Sequence, residues 1–175
     1  MKIVVDAMGG DHAPEATVEG AVLAAREYNI NIILTGLTER IQTELDKHDP
    51  EHTLPIEIVH ADEFVEMHEV PGKVLRSKRK SSMNVGLDLL KENNGAAFVS
   101  AGNTGAVLAY STVILRPVKG VDRPAIAVQL PTLKGTSILL DAGANVDCKP
   151  NQLFQFGIMG HVFAEYILEK EKPSV

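Results

Sequence analysis

The chain has 175 residues, 45% of them hydrophobic, with no tryptophan and a formal net charge of −6. A domain near this length buries about 70% of its unfolded surface, enough for a core of Val, Ile, Leu and Ala. The acidic balance argues against a general nucleic-acid binder, and the single cysteine, Cys148, leaves no internal disulfide, as fits a reducing compartment.

The N-terminus MKIVVDAMGG reaches Asp6 after only three apolar residues, too few for the apolar core of a secretory signal. KIVV reads as a first strand ending at Asp6. PEATVEGAVLAAREY follows as a helix, with Val18, Ala21, Val22 and Ala25 on one face and Pro14 in its first turn. NIILTG is a second strand, TERIQTELDK a second helix and IEIVHA a third strand. VPGKVLRSKRK reads as a short helix running into a basic loop, and SMNVGLDLLKEN as the next helix. GAAFV is a buried strand followed by a helix over 104–115. AIAVQLP and TSILLDAG are two strands separated by TLKG, and a long helix starts near Pro150. Pro173, Ser174 and Val175 read as the start of another strand, so the chain is expected to be incomplete at its C-terminus.

This alternation predicts one α/β domain over 1–175, in three layers, with a mostly parallel sheet and helices on both faces. The most apolar stretch, LFQFGIMGHVFAEYIL, carries Gln155, His161 and Glu165 and makes a poor membrane span. A soluble, cytoplasmic protein is expected.

Ligands of open parallel sheets sit beyond the carboxyl ends of the strands. Three such ends are rich in glycine and short polar residues: DAMGGDHAP, SAGNTGA and DAGANVD. In SAGNTGA, Gly102 and Gly105 let the backbone approach a ligand, Ser100, Asn103 and Thr104 supply side-chain donors, and the next helix aims free N–H groups at the same point. The alternative is an ordinary turn with Asn103 or Thr104 as N-cap. The stretch matches neither the phosphate loop of nucleotide-binding proteins nor the dinucleotide fingerprint.

DAMGGDHAP offers Asp6 at a strand tip, Gly9 and Gly10 in a turn, then Asp11 and His12. Asp11 either caps the helix or lines the cleft, and His12 is either a solvated loop histidine or a group able to donate to phosphate or carry a proton. DAGANVD sets Asp141, Asn145 and Asp147 around a turn. The spacing covers only part of a calcium loop, so no metal is expected, and Asn145 is read as a ligand contact. RSKRKSS gathers Arg76, Lys78, Arg79 and Lys80, either a solvated charged face or a draw for an acidic partner or an anionic substrate. Cys148 has no partner base nearby in sequence and is read as a packing or loop cysteine.

VVDAMGGDHAP, RSKRKSSM, SAGNTGA and LLDAGAN occur in the order and approximate spacing of one known family. The sequence resembles the bacterial phosphate acyltransferases of phospholipid synthesis, the acyl-carrier-protein:phosphate transacylases. The resemblance implies a fold similar to isocitrate and isopropylmalate dehydrogenases and to phosphotransacetylase. It implies transfer of a fatty acyl group from acyl carrier protein to inorganic phosphate, without a cofactor. The acyl phosphate would pass to a membrane-bound glycerol-3-phosphate acyltransferase, and members are homodimers peripherally associated with the membrane. They run to about twice this length.

Under this resemblance Ser100, Gly102, Asn103, Thr104 and Gly105 serve the phosphate or the oxyanion, with Lys80 and Ser82 contributing from the basic loop. Asp6, Gly10, Asp11 and His12 line the same cleft, with His12 as proton carrier and Asn145 as a further contact. The catalytic roles fall to His12, Asn103 and Thr104, and Arg76, Lys78 and Arg79 face the acidic carrier protein. Rival readings are a phosphotransacetylase using coenzyme A, an NAD-dependent decarboxylating dehydrogenase, which the carboxylate spacing disfavours, and a non-catalytic phosphate-ligand-binding module.

Overall fold

A computed structural model describes residues 2–175, which divide into two compact units, the first ending at Arg116 and the second running from Pro117 to Val175. In the first unit, β1 (Lys2–Asp6), β2 (Asn31–Gly36), β3 (Ile56–His60) and β4 (Ala97–Val99) form a parallel sheet in the order β3-β2-β1-β4. β2 is buried along all but its first residue, as a strand covered on both faces must be. Successive side chains of a strand point to opposite faces, so each strand serves two helical layers.

Ile32 and Leu34 face a cluster with Val18, Ala21, Val22 and Ala25 of α1 (Glu15–Tyr28) and Ile41 and Leu45 of α2 (Thr38–His48). Thr35 faces the other way, where its hydroxyl lies 2.9 Å from the Ser82 carbonyl oxygen. On that side α3 (Pro71–Ser77), α4 (Ser82–Lys91) and α5 (Thr104–Ile114) pack around Val74, Met83, Leu87, Ala106, Tyr110 and Ile114. The expected three-layer α/β arrangement is therefore present.

β1, β2 and β3 are laid down in one direction, and the chain then returns to place β4 on the far side of β1. The order of strands thus reverses between β1 and β4, and such a switch point opens a crevice at the strand ends. Its walls are the loops after Asp6 and after Val99.

In the second unit β5 (Ala127–Thr132) pairs antiparallel with β6 (Gly135–Leu140), from Ala127↔Leu140 to Thr132↔Gly135. Gly135 takes φ +125°, which suits a residue without a Cβ at the exit of a tight hairpin. α6 (Pro150–Tyr166) follows, its first turn begun by Pro150 and closed by the Lys149 N–H donating to Gln152 Oε1 at 2.8 Å. The strand expected from Pro173 does not form: residues 173–175 join no ladder, although the Pro173 carbonyl oxygen lies 3.2 Å from His161 Nδ1.

Candidate functional site

The crevice between β1 and β4 begins with close packing of its two loops. A Cβ on Gly9 would lie 2.6 Å from Asp6 Oδ2, 2.7 Å from Ser100 Oγ and 3.0 Å from the Gly102 nitrogen. Only glycine lets the first loop rest against the second there. Gly10 adopts φ +112° and passes Ala101, so two adjacent glycines serve two different needs.

Asp6 is the hub of this contact, 2% exposed. Its Oδ2 accepts from Ser100 Oγ at 2.8 Å and its Oδ1 from the Met8 N–H at 3.2 Å. Ser100 Oγ in turn accepts the Gly102 N–H at 3.1 Å, so one chain of hydrogen bonds runs from β1 through Ser100 into the second loop. Burial pushes the Asp6 carboxyl above its ordinary range, and the Ser100 hydroxyl and the Met8 N–H counter this only in part. Ser82 Oγ, brought in by α4, is fully buried and reaches full hydrogen-bond geometry with no partner among the described residues. A buried hydroxyl left unpaired marks a place where a further acceptor or a water would be favourable.

Asn103 caps α5. Its Oδ1 accepts the Ala106 N–H at 3.0 Å, while its Nδ2 points at the carbonyl oxygens of Met67 at 3.1 Å and Glu69 at 2.9 Å. Both ends of the amide are engaged, so in this arrangement Asn103 fixes the start of α5 and the loop before α3. A Cβ on Gly105 would sit 2.8 Å from Pro71 Cγ, so this glycine admits α3 against α5. Thr104 and Gly105 are exposed, and their N–H groups, at the first positions of α5, have no acceptor among the described residues. These are the donors free to meet an anion, assisted by the positive end of the helix dipole.

His12 and Asp11 are exposed on the first loop. Asp11 does not cap α1: the helix starts at Glu15 after Pro14, without a side-chain cap. Thr17 Oγ1 instead lies 2.6 Å from the Ala7 carbonyl oxygen, tying the loop to the first turn. Asn145 lies in the second unit, and its Nδ2 donates there to the Pro124 carbonyl oxygen at 3.1 Å and to Asp141 Oδ2 at 3.2 Å.

The basic stretch splits. Lys78 Nζ is held by Glu69 Oε2 at 2.6 Å and the Phe64 carbonyl at 2.8 Å, and Lys80 Nζ by Asp62 Oδ2 at 2.8 Å. The hydrogen-bonded Asp62 carboxylate raises the Lys80 pKa, keeping it charged. Arg76 and Arg79 are exposed without an ion-pair partner among the described residues.

Two contributors escaped the sequence reading. Gly9 was visible only as a turn glycine. Tyr110 is fully buried in an apolar helix, with its hydroxyl 2.8 Å from the Val74 carbonyl oxygen and 2.7 Å from that of Lys78. A buried tyrosine usually finds a partner for its O–H, and that was the available signal.

The chain matches the family model described as "Fatty acid synthesis protein" over residues 1–175. A phosphate acyltransferase of Alkaliphilus oremlandii is 52% identical over 176 residues, covering all of this chain and 52% of its own length. Those of Geobacter sulfurreducens and of an Anaeromyxobacter species are each 50% identical, over 175 and 173 residues. The chain spans about half the length of the curated relatives it matches.

Proposed function

We propose, from the premise that this chain belongs to the fatty acid synthesis protein family, that it forms the phosphate seat of an enzyme transferring an acyl group to inorganic phosphate. The observation that carries this reading is the joint crevice of the β1 and β4 loops at the switch point of the sheet, where the N–H groups of Thr104 and Gly105 are left free.

Phosphate is already nucleophilic at neutral pH, so no serine or cysteine of the chain needs to be acylated. One phosphate oxygen attacks the thioester carbonyl, the C–S bond breaks, and the proton of the hydrogen phosphate ends on the departing thiolate. The products are an acyl phosphate and a free thiol. The protein's part is to hold the phosphate against the carbonyl and to place N–H donors where charge develops. Thr104 and Gly105 supply donors, and the exposed imidazole of His12 is the group proposed to relay the proton. Asp6, Ser100 and Asn103 hold those donors in place, and Ser82 offers its unpaired hydroxyl.

The acyl donor in this reading is acyl carrier protein, and the product serves phospholipid synthesis through a membrane glycerol-3-phosphate acyltransferase. The setting is cytoplasmic, peripheral to the membrane, with the enzyme acting as a homodimer. Among the described residues no helix is long and apolar enough to cross a membrane.

The test is hydroxylamine trapping of acyl phosphate as the hydroxamate, with acyl carrier protein and coenzyme A thioesters supplied separately. Product that requires both phosphate and the carrier-protein thioester supports the reading. Product from coenzyme A thioesters alone points to a phosphotransacetylase, and saturable phosphate binding without turnover to a binding module.

A further inference from the structure

A serine hydroxyl carries one proton and two lone pairs. Ser100 Oγ donates its proton to Asp6 Oδ2 at 2.8 Å and accepts the Gly102 N–H at 3.1 Å, so it has no proton left for a ligand. The same 2.8 Å separation serves equally when Asp6 holds a proton and donates it to Ser100. Ser100 then accepts from Asp6 and from Gly102 together, and its own O–H turns free to meet an anion. Ser100 is half-buried on the loop that leads to Thr104 and Gly105, whereas Asp6 is 2% exposed and acts on an anion through it.

The surroundings of Asp6 favour the protonated arrangement. A Cβ on Gly102 would lie 3.6 Å from Asp6 Oδ2, so the carboxyl touches the second loop two residues before the free N–H of Thr104. An ionised Asp6 would set a negative charge beneath a seat for another. No cation forms an ion pair with it among the described residues. β2 brings Thr35, and β4 and the loop 100–103 bring no titratable side chain. Asp11 and His12 of its own loop, and Glu15 at the start of α1, are exposed. Lys2, at the other end of β1, is paired with Glu57. Before α4, the Lys80 amino group is bound by Asp62 and the Lys80 N–H by Glu63, and within α4 Asp88 accepts the Asn84 amide. Burial accordingly holds the Asp6 carboxyl above its ordinary range.

We propose that Asp6 is a positioning residue that couples phosphate binding to the uptake of a proton: protonated Asp6 donates to Ser100 and releases the Ser100 hydroxyl to the anion. The proton comes from water, and no covalent bond of the ligand changes. The inference rests on the phosphate seat proposed above and adds to it a control by pH. Coupling of this kind is reciprocal, so the anion binds more tightly when Asp6 is protonated, and Asp6 holds its proton to higher pH when the anion is bound.

The experiment is calorimetric titration of inorganic phosphate into the 175-residue chain across the acidic and neutral range, in buffers of different ionisation heat. Wild type is compared at each pH with Asp6→Asn, whose neutral amide stands in for the protonated acid. Phosphate and His12 titrate in both proteins, so the difference between them reports Asp6. Wild-type affinity relative to the variant should fall by about fivefold or more as pH rises through the Asp6 titration, with extra proton uptake in wild type alone. Ser100→Ala should lose the tighter binding at low pH. On wild type, ¹³C NMR of the Asp6 carboxyl reads the coupling without a substitution: its midpoint should move up by about one pH unit for a tenfold coupling. Equal pH dependence and equal proton uptake in wild type and Asp6→Asn overturn the proposal while leaving the phosphate seat. So does an Asp6 midpoint that saturating phosphate does not move, or a Ser100→Ala protein that binds as wild type does at low pH. Absence of phosphate binding in wild type at every pH overturns the seat itself, and the coupling with it.

Discussion

The end of β1 and the end of β6 are written in nearly the same letters, DAMGG and DAGAN, yet they treat their aspartates in opposite ways. Asp6 is sealed in the first unit, where one N–H and the Ser100 hydroxyl do not offset its burial, and its pKa rises. For Asp141 in the second unit burial acts in the same direction, but the Ile126 N–H at 2.7 Å, the Asn145 N–H at 2.6 Å, the Asn145 amide and the Ala144 N–H together bring its pKa down. Several N–H donors hold a carboxylate ionised, whereas burial with few of them does not. The Asp141 turn satisfies itself. The Asp6 hub is kept with a carboxylate in an unfavourable setting and an unpaired hydroxyl beside it, as functional sites commonly are.

The largest break in this comparison should come from Gly9→Ala. Its Cβ would press on Asp6, Ser100 and Gly102 at once, so we expect a loss of about 1–3 kcal/mol, toward the upper end, together with loss of phosphate binding. Urea unfolding and phosphate titration read the two effects separately, and an unperturbed Gly9→Ala protein would mean that the loops do not pack as described.

Asp141→Ala should leave the N–H groups of Ile126 and Asn145 without their acceptor, at about 1–2 kcal/mol in this part-buried turn, with no change in phosphate affinity. Weaker phosphate binding in that variant would show that the turn is more than self-contained.

Thr104→Val should leave stability nearly unchanged, because the residue is exposed, and should weaken phosphate binding by about 0.5–1.5 kcal/mol if its hydroxyl meets the anion. An unaltered phosphate dependence would remove the Thr104 hydroxyl from the seat.

The smallest effect is one of slope. Because the folded pKa of Asp6 is raised, the folded chain keeps a proton that the unfolded chain has released, so stability falls as pH climbs from the ordinary aspartate value through the raised one. Asp6→Asn should remove that fall. The lowered pKa of Asp141 works the other way: its contribution is present above the unfolded value and is lost as pH drops through the folded one. Urea midpoints across the acidic range should show Asp6→Asn and Asp141→Asn departing from wild type with opposite slopes, and parallel curves would contradict the contrast.

Much of the fold was legible because it is local. The alternation of β-branched runs with helical periods marked every strand and helix, and β2 carries the boundaries read for it. The loop SAGNTGA was legible as a strand-to-helix turn with donors. Which of its residues remain free was not, since that depends on Glu66 to Glu69, more than thirty residues away, receiving the Asn103 amide. The basic run illustrates the same limit. Its four charges look alike in sequence, and only the approach of Asp62 and Glu69 separates the two lysines from the two arginines.

By itself, then, the sequence determined the elements, the three glycine-rich strand ends and the family, because backbone propensity, side-chain period and short motifs are read within a few residues. The tertiary structure decided that β1 and β4 are neighbours, that Asp6 lies under Ser100 with Ser82 at its side, and that Asn103 spends its amide on the scaffold while Thr104 and Gly105 keep their N–H groups free. Hydrogen bonds and burial belong to pairs of residues, and a pair distant in sequence exists only once the sheet has closed the chain around it.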